Sequence, residues 1–171
     1  MSSLEATIEQ YLATCEDLQK SFGDMSQEQL LARPVEGKWT SMEVLCHLVD
    51  TELMMSARIR AALIADKPRQ LGLSTEELVG MHFWQNRGGA EEIALFASLR
   101  MHTAQIVRGF PGDPSERQLI LIKPDGKEVV RAVGELLTGV TRHAPPHLVH
   151  VQEKRAKLGL PTSFSISGLD A

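Results

Sequence analysis

The chain has 171 residues and a net charge of −4, and 43% of its residues are apolar. This length and composition fit one globular domain spanning residues 1–171. They exclude wholesale disorder, a membrane-spanning segment and a basic surface for phosphates, so we expect neither nucleic acid nor a membrane as a partner. The first ten residues lack the pattern of a signal peptide, which predicts a cytoplasmic location.

The first half of the chain predicts two long helices and two shorter ones. Apolar residues recur every three or four positions from Ser3 to about Phe22, which is the period of one helical face. Capping boxes, in which Ser or Thr precedes Glu or Gln by three residues, then indicate three further helix starts. These predict a short helix ended by Pro34, a long helix over 41–65, and a helix from Ser74 towards Trp84.

The second half predicts two more long helices around an extended segment. Gly88-Gly89 interrupts the helical pattern, which resumes over 90–107. Residues 117–124 are mostly apolar and partly β-branched and lead into a Pro-Asp-Gly turn, which predicts a small hairpin or extended excursion. A last helix is expected from about 129 to 158, before an irregular tail at 160–171. Four long helices with long connections predict an all-α four-helix bundle with crossovers.

Three histidines occupy positions that otherwise belong to the core. His143 and His147 are four residues apart on the last predicted helix, and His47 lies on an inward face of the second long helix. Each unsatisfied imidazole in an apolar core costs about 1–3 kcal/mol, and a divalent metal removes that cost for all three. Three nitrogens leave positions open for water or substrate, as in catalytic sites, and they suit zinc, nickel, iron or manganese. The alternative is three satisfied core or surface histidines.

Pro145 and Pro146 stand between two of these histidines. Proline removes a helical hydrogen bond and clashes with the carbonyl four residues earlier. We therefore expect the last helix to kink here, or to end and restart.

Three charged residues accompany the histidines. Asp50 is a candidate hydrogen-bond partner that would orient a ligand histidine, or it belongs to a solvated helix face. Glu52 is a candidate general base. Arg100 could anchor a substrate carboxylate, although a buried bridge to one of these two acids is the favoured interpretation.

Three further residues are candidates for the surroundings of the site. Trp84, with His82, could line the mouth of a pocket or simply pack. His150 lies one turn beyond the last of the three histidines and is expected to lie outside the ligand set.

Two longer motifs resemble the DinB-like (DinB/YfiT) superfamily. One is Trp39-Thr-Ser-Met-Glu-Val-Leu-Cys-His47-Leu-Val-Asp50-Thr-Glu52, and the other is His143-Ala-Pro-Pro-His147-Leu-Val-His150. Leu99-Arg100 also resembles a pair in the third helix of that family, and the likeness extends over about 5–160.

The resemblance implies a four-helix bundle of crossed topology and a metal site at His47, His143 and His147. It also implies a homodimer and an enzyme: a metal-dependent hydrolase, or an S-transferase that uses a low-molecular-weight thiol. The sequence thus predicts a metal-dependent enzyme acting on a small-molecule substrate. The alternative from another class is a non-catalytic, stress-associated dimeric bundle whose histidines are structural or bind metal only for stability.

Overall fold

A computed structural model describes residues 3–72 and 83–167. Within them, four long helices form the protein: α1 (Ser3–Phe22), α3 (Ser41–Ile64), α4 (Gly89–Arg108) and α5 (Val133–Lys157), with a short α2 (Gln27–Leu31) after α1. The predicted helix from Ser74 lies outside the described residues, as does His82; Trp84–Asn86 is one 3-10 turn. None of the described helices combines the length and apolar character needed to cross a bilayer.

The four long helices form a bundle with crossed connections, which confirms that part of the prediction. Helix α1 packs mainly against α4 and α5, and so does α3. The long helices α1 and α3 therefore lie diagonally across the bundle from each other. An up-down hairpin would have placed them side by side.

The core of the bundle has two apolar regions with a polar layer between them. On α3, residues 42–49 belong to one region and residues 59–63 to the other. Glu52 and Ser56 lie between these stretches and are fully or almost fully buried. The start of α4 packs closely against Leu30 of α2, which belongs to the first apolar region. A side chain at Gly89 would collide with Leu30 there.

A small sheet closes one end of the bundle. Its strands are β1 (Arg69–Leu71), β2 (Gln118–Ile122) and β3 (Glu128–Ala132), with β2 in the centre, parallel to β1 and antiparallel to β3. The hairpin expected after residue 117 is therefore present. The predicted start of the last helix at about 129 was wrong, because residues 128–132 pair with β2 and α5 begins only at Val133.

Helix α5 continues through Pro145 and Pro146 as one element. The expectation that it ends and restarts there was wrong.

Candidate metal centre

The start of α3 fixes the position of His47. The Thr40 hydroxyl accepts a hydrogen bond from the Glu43 N–H at 3.1 Å, and the Glu43 carboxylate accepts one from the Thr40 N–H at 2.6 Å. This reciprocal cap satisfies two N–H groups at the helix end. His47 follows in the second turn, buried at 5% exposure, with the Trp39 ring edge-on at 5.2 Å between centroids.

The other two histidines lie one turn apart on α5, on either side of the two prolines. His143 and His147 are half-buried there. The prolines leave backbone carbonyls without their helical donors. In the turn before them, the Val140 carbonyl accepts a hydrogen bond from Arg100 Nη2 at 3.2 Å. The carbonyls that the prolines leave without helical donors are those of Thr141 and Arg142, so this charged donor contacts the α5 backbone one residue before them.

The three imidazoles converge on one point. Ring nitrogens of His47, His143 and His147 all lie within 4.8 Å of one another. The three ring centroids are 4.7–5.0 Å apart, and the ring planes meet at 56–60°. The rings therefore form a nearly regular triangle although they come from only two helices.

The nitrogen spacing between His47 and His143 matches that of two ligands on one ion. Nε2 of His47 and Nε2 of His143 are 3.2 Å apart. Two nitrogens bound tetrahedrally at about 2.05 Å from one zinc ion would be about 3.3 Å apart. Nδ1 of His47 is buried and has no hydrogen-bond partner among the described residues, so Nε2 is the nitrogen of this ring that meets the other histidines. The donor set therefore fits a divalent transition metal.

Burial keeps these imidazoles in the form that binds metal. It lowers the pKa of His47. For His143 and His147, burial is the larger cause and repulsion between adjacent positively charged imidazoles is the next, and the pKa values of both are lowered to about 4. At neutral pH the rings are uncharged, and each keeps a nitrogen lone pair for a ligand bond.

Asp50 organises the wall beside His47. Its carboxylate accepts hydrogen bonds from Trp84 Nε1 at 2.8 Å and from Arg87 Nη1 at 2.8 Å. Arg87 also contacts Glu92 at the start of α4. The Asp50 charge partly offsets the lowered pKa of His47. Both of these hydrogen bonds position the wall of the site, and neither orients a ligand histidine through its Nδ1.

Trp84 forms part of an aromatic wall around the site. Its ring centroid lies 5.8 Å from that of Trp39 and 6.3 Å from that of His47, both in edge-on arrangements. Trp84 itself is 3% exposed. The structure thus places it against the histidines, where its packing also shields one side of the site.

Glu52 and Arg100 form a buried pair in the polar layer. Arg100 Nε donates to Glu52 at 2.8 Å, and Tyr11 donates its hydroxyl hydrogen to the other oxygen of the same carboxylate. The guanidinium also donates to the Tyr11 and Val140 carbonyls. The structure brings Arg100 to Glu52, one of the two acids predicted as its partner. Both oxygens of Glu52 are engaged, which disfavours its predicted role as a general base.

A cavity of about 330 Å³ adjoins the centre, with His147 in its wall. His150 also lines it, from an exposed position. Trp39 supplies an apolar surface to the wall, and Lys154 also lines the cavity although it is only 2% exposed. Sequence reasoning missed Lys154, although the inward stripe of α5 through His147 reaches it when continued.

Comparisons with known proteins agree with this geometry. The family model described as the DinB superfamily matches residues 10–150. The solved structure of YfiT from Bacillus subtilis, described as a probable metal-dependent hydrolase with an unusual four-helix bundle topology, is similar with a TM-score of 0.79. At 18% identity, the match covers 94% of this chain and 91% of YfiT. No curated protein matches this chain. Because the family model spans most of the sequence, the chain belongs to the DinB superfamily.

Proposed function

We propose that this protein is a divalent-metal-dependent enzyme acting on a small molecule, with the metal held by His47, His143 and His147. The observation that carries the proposal is the convergence of the three ring nitrogens within 4.8 Å. Zinc, nickel, iron and manganese are the candidate ions, and imidazole donors favour the first three. The similarity to YfiT, a probable metal-dependent hydrolase, supports the same chemistry.

The proposed reaction is either hydrolysis or transfer of a low-molecular-weight thiol to an electrophile. When bound, a divalent ion lowers the pKa of a water or thiol that it coordinates and stabilises developing negative charge. Neither of the protein's two cysteines is suited to supply the thiol, because burial raises the pKa of Cys15 and raises that of Cys46 to about 12. A thiol substrate would therefore come from solution.

The surrounding residues have distinct roles in this proposal. Trp39 and Trp84 exclude water from one side of the histidines. Asp50 holds Trp84 in place, and Arg100 supports the backbone one turn before His143. We assign Glu52 to positioning Arg100, because its two oxygens are already engaged. The homodimer and the cytoplasmic location implied by sequence remain part of the proposal.

Metal analysis of the purified protein tests the site. We expect one divalent ion per chain in the wild type and loss of that ion in His47→Ala and His147→Ala. His102→Ala is the matched control, because His102 is exposed on α4 and contacts Arg60. A metal-free wild type, or unchanged occupancy in both ligand variants, would overturn the metal site.

A panel of esters, amides and thiol-plus-electrophile pairs tests the activity. We expect turnover that a chelator abolishes and added metal restores. Stoichiometric metal and a large chelator-dependent melting shift without turnover across the panel would favour the non-catalytic bundle instead.

A further inference from the structure

Three cationic side chains are buried to 2% exposure or less in the described part of the chain: Arg100, Arg155 and Lys154. Each of the two arginines is paired with a carboxylate. Arg100 meets Glu52 at 2.8 Å, and Arg155 meets Asp24 at 2.8 Å, and each also donates to two backbone carbonyls.

Lys154 differs from both arginines. Its ammonium donates to the His150 carbonyl at 3.0 Å, and no carboxylate among the described residues comes within ion-pair distance of it. Glu153 and Glu43 act on its pKa only as more distant charges, and burial lowers that pKa. An ammonium has three donors, so the buried group keeps binding capacity that the protein does not use.

Lys154, the residue that carries these unused donors, lines the cavity beside the metal centre. Lys154 and His147 both line this space, and the charge of Lys154 contributes to the lowered pKa of His147. Because side chains on a helix lean towards its N-terminus, the ammonium lies near the His150 carbonyl. That point is roughly one turn, or about 5 Å along the axis, from His147.

The cavity carries a small positive excess and one apolar wall. Lys38 and Lys154 supply two cations and Glu153 one anion, while Trp39 supplies a ring surface next to His47. One added carboxylate would balance the charge of these three side chains, and a divalent ion on the histidines would add to the attraction for an anionic substrate.

We propose that this cavity binds a small organic acid, with its carboxylate on Lys154, its apolar part against Trp39 and its reacting group towards His147. This assignment rests on the proposed function, because it treats the cavity as the substrate pocket of the metal centre. It makes Lys154 a substrate-binding residue and names carboxylate-bearing small molecules as the substrate class.

The test compares an acid with its neutral analogue on the metal-loaded protein. Calorimetric titration with phenylacetate and phenylacetamide measures the preference for the carboxylate. We expect the wild type to bind phenylacetate at least about tenfold more tightly, which corresponds to one charge-assisted contact. Lys154→Met should remove the preference, and Lys154→Arg should retain most of it. Lys157→Met is the matched control, since Lys157 is exposed on the same helix.

The same samples separate this inference from the proposed function. Metal content is measured before each titration. If the metal is present but the wild type shows no preference, or if folded Lys154→Met keeps it, the pocket assignment is wrong and the metal centre stands. Lys154→Gln serves as a second variant should Lys154→Met fail to fold. If the wild type holds no metal, the proposed enzyme fails, and the pocket assignment that rests on it fails as well.

Discussion

Arg100 and Lys154 are both buried cations, yet their surroundings differ in kind. Arg100 donates to acceptors on three helices, namely Glu52 on α3, the Tyr11 carbonyl on α1 and the Val140 carbonyl on α5, and it also lies over the faces of aromatic rings. Lys154 has one carbonyl from its own helix and an adjoining cavity. Among the described residues, the buried cation that holds helices together, Arg100, is paired with a carboxylate, whereas the buried cation that borders the site, Lys154, is not.

The Arg100–Glu52 pair also helps to determine the geometry of the three histidines. Arg100 connects the polar layer to the α5 backbone one turn before His143. Helix α3 carries both Glu52 and His47. The buried ion pair therefore fixes the two helices that supply all three imidazoles.

The largest effect on stability is expected from breaking the Arg100–Glu52 pair. Arg100→Met leaves the Glu52 carboxylate buried without its cation, which costs about 3–5 kcal/mol of unfolding free energy. Urea unfolding of the metal-free protein measures this cost. A loss below about 1 kcal/mol would mean that the polar layer does not hold the bundle together.

A divalent metal should stabilise the folded protein by binding at the three histidines. A free metal concentration one hundred times the Kd raises the unfolding free energy by about 2.7 kcal/mol. Thermal melting with metal and with chelator measures the shift, which His147→Ala should abolish and His102→Ala should preserve. An equal shift in both variants would place the metal elsewhere.

Acid should destabilise the metal-free protein through the same histidines. In the folded state His143 and His147 have pKa values of about 4, whereas an unfolded histidine titrates near 6.5. The unfolded chain thus takes up protons first. The stability is complete above about pH 6.5 and declines as the pH falls towards about 4, by about 1–2 kcal/mol for these partly exposed rings.

Urea midpoints at neutral pH and at about pH 5 measure this slope. His147→Ala should flatten it in comparison with His102→Ala. A slope that is the same in both variants would assign the acid sensitivity to other groups.

The smallest effect on stability is expected at Lys154. Lys154→Met removes an ammonium that is buried and incompletely paired, so we expect a change within about 1 kcal/mol, with a gain as the favoured sign. Urea unfolding beside Arg100→Met measures the contrast directly. A loss comparable to that of Arg100→Met would make Lys154 structural and remove the distinction between the two regions.

Local signals predicted the fold where they act within one helix. The cap at Thr40 and Glu43 placed the start of α3, and the apolar period gave the extent of α1. β1 was not predicted, because its register is set by pairing with a strand about fifty residues later along the chain. Pairing with β2 likewise holds residues 128–132 in β3, although the apolar pattern of these residues also suits a helix.

The candidate site shows the same difference between local signals and contacts that depend on distant segments. Inward positions on two helices were sufficient to propose the three histidines. The partners of Asp50 and the burial of Lys154 depend on segments far along the chain, so no spacing rule gives them. Charge alone likewise gave Arg100 two possible acidic partners, Asp50 and Glu52, and only packing selects Glu52.

The order in which the ligands occur along the polypeptide has a consequence for biosynthesis. His47 and His143 are 96 positions apart, and the last two imidazoles both belong to the final long helix. A nascent chain that has emerged only through α4 offers one of the three donors. If the proposed metal site is correct, metal uptake has to wait for α5 to dock, and a bound ion would mark a chain whose four long helices have assembled.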